Sequence, residues 1–354
     1  MSIHQHRKDQ HVEIAEKLYH THPVTDFEAM RFVHHSFPQM NRSDVSLKTN
    51  FASFDLPVPF YINGMTGGSD KTKKINRDLA LVARETGLAM ASGSVSAGLK
   101  HPETASSFTI IRETNPNGKI FANLGAEHSV ENGKRAVELL QADALQIHVN
   151  APQELVMPDG EGERNFSHWL TQIQHMVEGV GVPVIVKEVG FGMSRETIQQ
   201  LAAIGVKTID ISGRGGTNFV SIENARRSQQ EFSFAANWGQ STAISLIEAA
   251  STNLKVEILA SGGIKTPMDM LKSLALGAKA TGLSGHFLHL IQNEGVEKTI
   301  LEVEAWKETL QTMMTLLGAS TIADLTKTDL ILTEPINSWC DARQIDWHYY
   351  ANRR

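Results

Sequence analysis

Phe60-Tyr61-Ile62-Asn63, running straight into Gly64-Met65-Thr66-Gly67-Gly68, is the stretch on which the fold turns. The first four residues read as a short buried strand. In a doubly wound open sheet, the turn after the first strand normally carries Gly-x-Gly-x-x-Gly around a phosphate. That spacing is absent. The richest glycine turns come late, at Gly213–Thr217 and at Ser261-Gly262-Gly263. Outward from this strand, short apolar runs recur at Leu88–Ala91, Ile120–Asn123, Ala144–Val149, Val184–Glu188, Thr208–Ser212, Glu257–Ala260 and Ala280–Leu283. Several are β-branched and almost continuously apolar, as strands covered on both faces must be. Amphipathic stretches lie between them, among them Ala80–Thr86, Gly133–Gln141, Ser194–Ile204 and Met268–Leu276. Eight strand–helix repeats with no second composition class predict an α/β chain folded as a (β/α)8 TIM barrel.

The remaining sequence frames this core. One domain is expected over residues 1–354, with an N-terminal arm (1–56), a barrel core (57–293) and a C-terminal helical extension (294–354). The arm contains a short helical pattern at Val12–Tyr19, and the extension opens with another at Val296–Leu317. The segment Ala151–Trp169, rich in Pro, Gly, Asp and Glu, is long enough to be an active-site loop. Of 354 residues 41% are hydrophobic and 20% charged, with a formal net charge of -6. That balance supports a sizeable core and lacks the basic footprint of a nucleic-acid partner. Cys340 is the only cysteine, so an internal disulfide, an iron–sulfur cluster and a Cys-ligated zinc site are excluded. The N-terminal Met1–Lys8 segment is polar in character and lacks the apolar core of a signal peptide, and no apolar run would cross a bilayer, so a cytoplasmic protein without a membrane partner is expected.

Catalytic groups in a barrel project from the C-terminal ends of the strands. Those ends carry, in order, Met65-Thr66-Gly67, Ser92-Gly93-Ser94, Asn123, His148 and Asn150, Lys187, Ser212–Thr217, Ser261-Gly262-Gly263 and Ser284-Gly285. All eight are polar or glycine-bearing. Gly262-Gly263-Ile264-Lys265 lets backbone N–H groups approach an anion, and Ser284-Gly285 supplies the opposite wall. The loops after strands seven and eight are where barrels commonly hold phosphate. Lys187 must be solvated or paired, because burying it alone is costly. Two roles are open to it: a salt bridge with Glu154, Glu188 or another carboxylate, or a cation facing a negative cofactor ring. Gln146, His148 and Asn150 alternate on one face of the fourth strand, with Gln153-Glu154 directly after. Glu154 is the obvious hard-oxygen ligand for Mg2+, which needs few carboxylates when a substrate brings phosphates.

The motifs are more specific in series. Arg7-Lys8-Asp9-x-His11, Met65-Thr66-Gly67-Gly68, Asn123-Leu124-Gly125-Ala126 and Leu145–Glu154 occur in this order. Val186–Gly192, Ser212–Thr217 and Ala260–Ile264 follow. The chain resembles type 2 isopentenyl-diphosphate isomerase, the flavin-dependent isomerase of isoprenoid biosynthesis, from Arg7 to about Leu325. The resemblance implies that a double bond is moved in a five-carbon diphosphate. Reduced FMN would act as acid and base, NADPH would serve only to reduce it, and there would be no net redox change. It assigns FMN to Met65, Thr66, Gly67, Ser94, Asn123, Lys187, Ser212, Thr217, Gly262, Gly263, Ile264, Lys265, Ser284 and Gly285. Arg7 and Lys8 would hold the diphosphate, joined at the substrate by Ser94, His148, Asn150 and Gln153. His148, Gln153 and Lys187 would serve catalysis, and Glu154 would bind Mg2+. A homo-oligomer, tetrameric or larger, is implied too. Two segments depart from the family pattern. Gly93-Ser94-Val95-Ser96 stands where many members have Gly-Ser-Gln-Arg, and Ser284-Gly285-His286 replaces a loop containing alanine and proline.

Other readings are weaker. A flavin-dependent 2-hydroxy-acid oxidase needs a histidine base with an arginine beside it, and Ser212-Gly213-Arg214-Gly215 offers no histidine. A nucleotide dehydrogenase with a catalytic cysteine loop is excluded by the position of Cys340. A phosphate sensor that kept the fold would not need the polar cluster on strand four.

Overall fold

The computed structural model describes residues 3–19, 25–158 and 160–354, with residues 3–7 described by their backbone alone. Eight parallel strands close into a barrel: β1 (Phe60–Ile62), β2 (Met90–Ala91), β3 (Ile120–Gly125), β4 (Ala144–His148), β5 (Val184–Lys187), β6 (Thr208–Asp210), β7 (Glu257–Ser261) and β8 (Ala280–Leu283). Each pairs in parallel with its sequence neighbour, and β8 returns to β1 through Thr281 opposite Phe60. The TIM barrel expected from the repeat is the observed fold.

The two-residue period of a strand sorts side chains between two cores. Phe60, Ile62, Ile120, Ala122, Leu145, Ile147, Val184, Val186, Ile209 and Ile258 face outward, into the layer shared with the helices. Tyr61, Phe121, Ala144, Ile185, Leu259 and Ala280 face inward and fill the barrel's lower half. One residue pair higher, the inward positions turn polar: Asn63, Asn123, Gln146, Lys187, Asp210 and Ser261, all buried. The barrel is thus an apolar plug with a polar floor laid on top of it.

Elements outside the repeat close the ends. A hairpin, Thr49–Phe51 with Phe54–Leu56, seals the bottom by placing Phe51 against Tyr61 and Phe121. A second antiparallel pair joins Met30–Phe32 to Leu330–Leu332, tying the arm to the C-terminal extension. Neither pair was expected, since each is only three residues long and has no alternating pattern of its own. The arm's helix runs over Ile3–Lys17, starting nine residues before the expected stretch. The extension's long helix, Gly295–Leu316, lies where the sequence placed it. Within the Ala151–Trp169 loop a short helix, Ala151–Val156, follows β4 directly. Among the described residues no helix is long and apolar enough to cross a membrane.

Candidate active site

A cavity of ≈ 330 Å³ opens over the polar floor at the C-terminal ends of the strands, within the size range of small-molecule sites. One wall is a backbone cradle. Gly262 and Gly263 have φ of 87° and 74°, and a Cβ on Gly262 would lie 2.0 Å from the Gly213 carbonyl oxygen. Only glycine fits there, and the loops after β6 and β7 consequently touch backbone to backbone. The N–H groups of Gly263 and Ile264 donate to nothing among the described residues, whereas the Lys265 N–H is taken by Asp269 at 3.1 Å. The helix Gly285–Asn293 starts at the same wall with no side-chain cap, its first turn facing Thr217. Free amides and an uncapped helix start have the geometry that suits an anion.

The floor is a chain of hydrogen bonds. Asp210 accepts from the Tyr61 hydroxyl (3.0 Å), Asn63 Nδ2 (2.9 Å), Ser261 Oγ (2.7 Å) and the Ser212 N–H (3.2 Å). Asn63 Oδ1 accepts from Gln146 Nε2 at 3.2 Å, and Gln146 Oε1 accepts from Asn123 Nδ2 at 3.3 Å. Asn123 Oδ1 lies 2.8 Å from His148 Nδ1. Burial lowers the His148 imidazole to about 3, with Lys187 and Lys8 adding to the effect, so the ring is neutral at pH 7.

Beside it on β5, Lys187 is buried, and its Nζ donates to the Glu188 carbonyl oxygen at 2.9 Å. The salt-bridge role does not materialise. Glu188 turns its carboxylate onto the Val189, Gly190 and Phe191 amides, and Glu154 binds Asn150 and the Glu163 N–H. Burial therefore lowers the Lys187 ammonium below its ordinary range, opposed only by the more distant Asp210 and Glu188 charges. A buried ammonium without an ion pair calls for an anion from elsewhere.

The third wall is the turn after β4. Asn150 Nδ2 donates to Gln153 Oε1 (3.1 Å) and Glu154 Oε1 (2.8 Å), and Gln153 Nε2 donates to Glu223 Oε1 (2.9 Å). His11 Nε2 lies 3.1 Å from the same Glu223 oxygen, and Arg226 pairs with its other oxygen. The arm helix is fastened on three sides of the mouth. Asp9 accepts from Ser69 Oγ (2.6 Å), His11 reaches Glu223, and Glu16 meets His289 Nδ1 (2.6 Å). Tyr19 closes the row, hydrogen-bonding His286 at 2.9 Å and stacking on His289.

Residues 118–332 match the model of the FMN-dependent dehydrogenase family. An isopentenyl-diphosphate delta-isomerase of Staphylococcus haemolyticus is 51% identical over 342 residues, covering 97% of each chain. Its namesake from Staphylococcus aureus is 51% identical over 346 residues, again with 97% of both chains covered. The chain belongs to the type 2 isopentenyl-diphosphate delta-isomerase family. Among solved structures, a mutant flavocytochrome b2 with benzoylformate superposes with a TM-score of 0.66 at 21% identity, covering 88% of this chain and 77% of that one. A mandelate oxidase mutant gives 0.63 at 15%, covering 92% of each. At those identities the likeness extends to the barrel alone.

Most residues that the isomerase-family resemblance singles out line this one cavity: Lys8, Met65, Ser94, Asn123, His148, Asn150, Gln153, Glu154, Lys187, Ser212, Thr217, Gly262–Lys265, Ser284 and Gly285. Thr66 and Gly67 do not. The Thr66 hydroxyl donates to Asn76 at 2.6 Å, and Gly67 packs on the Phe108 ring, while Gly64 lines the cavity in their place. The Arg7 side chain lies outside the described residues. Asp210, Asn63, Glu223, Glu127 and Tyr19 were not anticipated as site residues. For Asp210 a signal existed: a lone carboxylate on an otherwise apolar β-branched strand is expensive unless the interior answers it.

Proposed function

We propose that this chain converts isopentenyl diphosphate to dimethylallyl diphosphate with reduced FMN and Mg2+, using NADPH only to reduce the flavin. It would work in the cytoplasm as a homo-oligomer, tetrameric or larger. The observation that carries this reading is Lys187: a buried cation without an ion pair, standing on β5 between an amide cradle and a carboxylate-bearing turn. The cradle fits the FMN phosphate and Lys187 fits the electron-rich end of a reduced flavin ring. When bound, reduced FMN supplies the acid/base group and electrostatic stabilisation for a cation-like transition state.

The chain's own residues do the holding. An alkene is a very weak base, so the donor must be placed close to it and water kept out. Gln153 is fixed at both ends, by Glu223 and by Asn150, and presents its remaining N–H from a rigid position. Glu154 accepts one hydrogen bond on each oxygen and keeps lone pairs for a cation. Among the described residues no group of three metal-type ligands forms. A Mg2+ here would therefore rest on Glu154, the diphosphate oxygens and water, in keeping with that ion's habits. The arm brings Lys8 to the rim, where with Arg7 it would meet the diphosphate.

Oxidation of a 2-hydroxy acid fits less well. Among the described residues no arginine lines the cavity to clamp a substrate carboxylate. The test is a turnover assay on purified, FMN-loaded protein under anaerobic reduction. Dimethylallyl diphosphate should form without stoichiometric loss of NADPH. One NADPH oxidised per product, or a colourless protein that ignores added FMN, would sink the proposal.

A further inference from the structure

The floor of the cavity has a direction, and the direction can be traced from one end to the other. Asn63 is held by two partners that admit a single orientation. The Gly64 backbone N–H, which only donates, takes Oδ1 at 2.9 Å, and that leaves Nδ2 to donate to the Asp210 carboxylate. With Asn63 Oδ1 fixed as an acceptor, the facing Gln146 atom must be the donor, Nε2. That turns Gln146 Oε1 toward β3, where it can be satisfied only by Asn123 Nδ2. Asn123 must then present Oδ1 to the imidazole. Every amide in the row is oriented by the one before it.

We propose that Gln146, anchored through Asn63 by Asp210 and Gly64, is a positioning residue that fixes His148 with its proton on Nδ1 and its Nε2 lone pair toward the cavity. His148 lines the cavity, and no side chain among the described residues hydrogen-bonds its Nε2. The ring's neutrality, caused chiefly by burial, is consistent with this state. The consequence for recognition is specific. An unprotonated Nε2 can only accept, so the ligand meets His148 with a proton donor: a hydroxyl, a ring N–H, a protonated phosphate oxygen or a water held by a cation. A bare phosphate oxygen is repelled there. This deepens the isomerase reading and rests on it only for which ligand supplies the donor, because the tautomer is a property of the protein and its cofactor.

The test is long-range 1H–15N correlation on FMN-loaded protein labelled in histidine, at neutral pH. The His148 signals are identified by their loss in a His148→Asn variant. The expected spectrum is that of a neutral Nδ1–H ring; an Nε2–H or doubly protonated ring would overturn the proposal. Gln146→Leu should break the row and give comparable populations of both tautomers. Gln146→Glu, buried and protonated, can still donate to Asn63 and accept from Asn123, so it should restore the single tautomer. If Gln146→Leu leaves the ring unchanged, the Leu124 carbonyl that also faces it sets the tautomer, and Gln146 loses the role. A Gln146→Leu protein that fails to hold FMN is replaced by Asn123→Leu, for which the same mixture is expected and an unchanged ring is equally fatal. None of these readouts depends on turnover, so the tautomer can fail while the isomerase reading stands, and the reverse.

Discussion

Replacing Lys187 by methionine should move two quantities in opposite directions. Methionine matches the volume of the lysine stem, so the space beside His148 stays filled. In the cofactor-free protein the substitution removes a buried ammonium that has no ion pair, only the Glu188 carbonyl at 2.9 Å. Relief from burying an imperfectly satisfied polar group contributes about 1–3 kcal/mol, and the lost hydrogen bond costs about 1 kcal/mol. The variant without cofactor should thus be more stable by up to about 2 kcal/mol, seen as a Tm rise of at most ~4 °C in a chain of this size. Binding should show the reverse. A charge-assisted hydrogen bond is worth about 1.5–3 kcal/mol, so the Kd for reduced FMN should rise about 10- to 150-fold. The pH profile supplies an independent check. Burial lowers the folded-state lysine below its ordinary value near 10.5. Between those two values the unfolded chain binds more protons, so wild-type stability should rise with pH on the approach to 10.5, and the methionine variant should lack the rise. Fluorimetric melting of the cofactor-free protein and flavin fluorescence titration read both effects. A variant that melts lower and binds FMN with unchanged affinity would make Lys187 a structural residue and refute the argument.

Three further outcomes follow from the same geometry. Glu154→Gln keeps one acceptor oxygen but removes the charge, so it should raise the Mg2+ concentration needed for turnover at least tenfold with the flavin spectrum intact; an unchanged Mg2+ titration would remove Glu154 from the metal site. Burial lowers His128 and His286 to about 4 and His148 to about 3, so below their ordinary value near 6.5 the unfolded chain takes up protons that the folded chain refuses. Stability should therefore fall as the pH drops from about 6.5 toward 4, and His286→Phe, which preserves the stack on Trp306, should flatten that slope in acid melts. Alanine at both Arg7 and Lys8 should raise KM by the equivalent of about 2–4 kcal/mol of lost charge-assisted contacts, with FMN content unchanged; flavin lost in proportion to activity would show that the arm builds the cofactor site instead.

The barrel was legible because its signal is periodic and repeated. Eight buried runs bounded by turn residues leave little freedom, and the strand positions expected from sequence overlap the observed ones at β1 through β8. The three-residue pairings at Met30–Phe32 and Thr49–Phe51 carry no such signal, because their partners are distant in sequence or supplied by the hairpin itself. The wall residues were legible for another reason: at a strand end, a polar or glycine residue has no burial role to hide behind. Gly262 and Gly263 stand out in this way, and their positive φ values show why no other residue would serve.

The floor was harder to foresee, and the obstacle was physical. Asn63, Asn123, Gln146 and Asp210 sit one strand period above the apolar plug, on four strands far apart in sequence. Each taken alone is an ordinary polar residue near a strand end. What makes them a unit is closure of the barrel, which sets Asn123 beside Gln146 and Gln146 beside Ile185 in register, while Asn63 reaches Gln146 on one side and Asp210 on the other only across the interior. The same closure decides Lys187. In sequence it has carboxylates within reach, Glu154 and Glu188, and spacing alone leaves a salt bridge and a cofactor-facing role equally open. In the folded chain Glu188 is turned away onto three amides, Glu154 is held by Asn150, and the lysine is left facing the cavity. A salt bridge there would have satisfied the cation and closed the site to an anion. The structure withholds it, and the ammonium is left for the anion that the proposed flavin would bring.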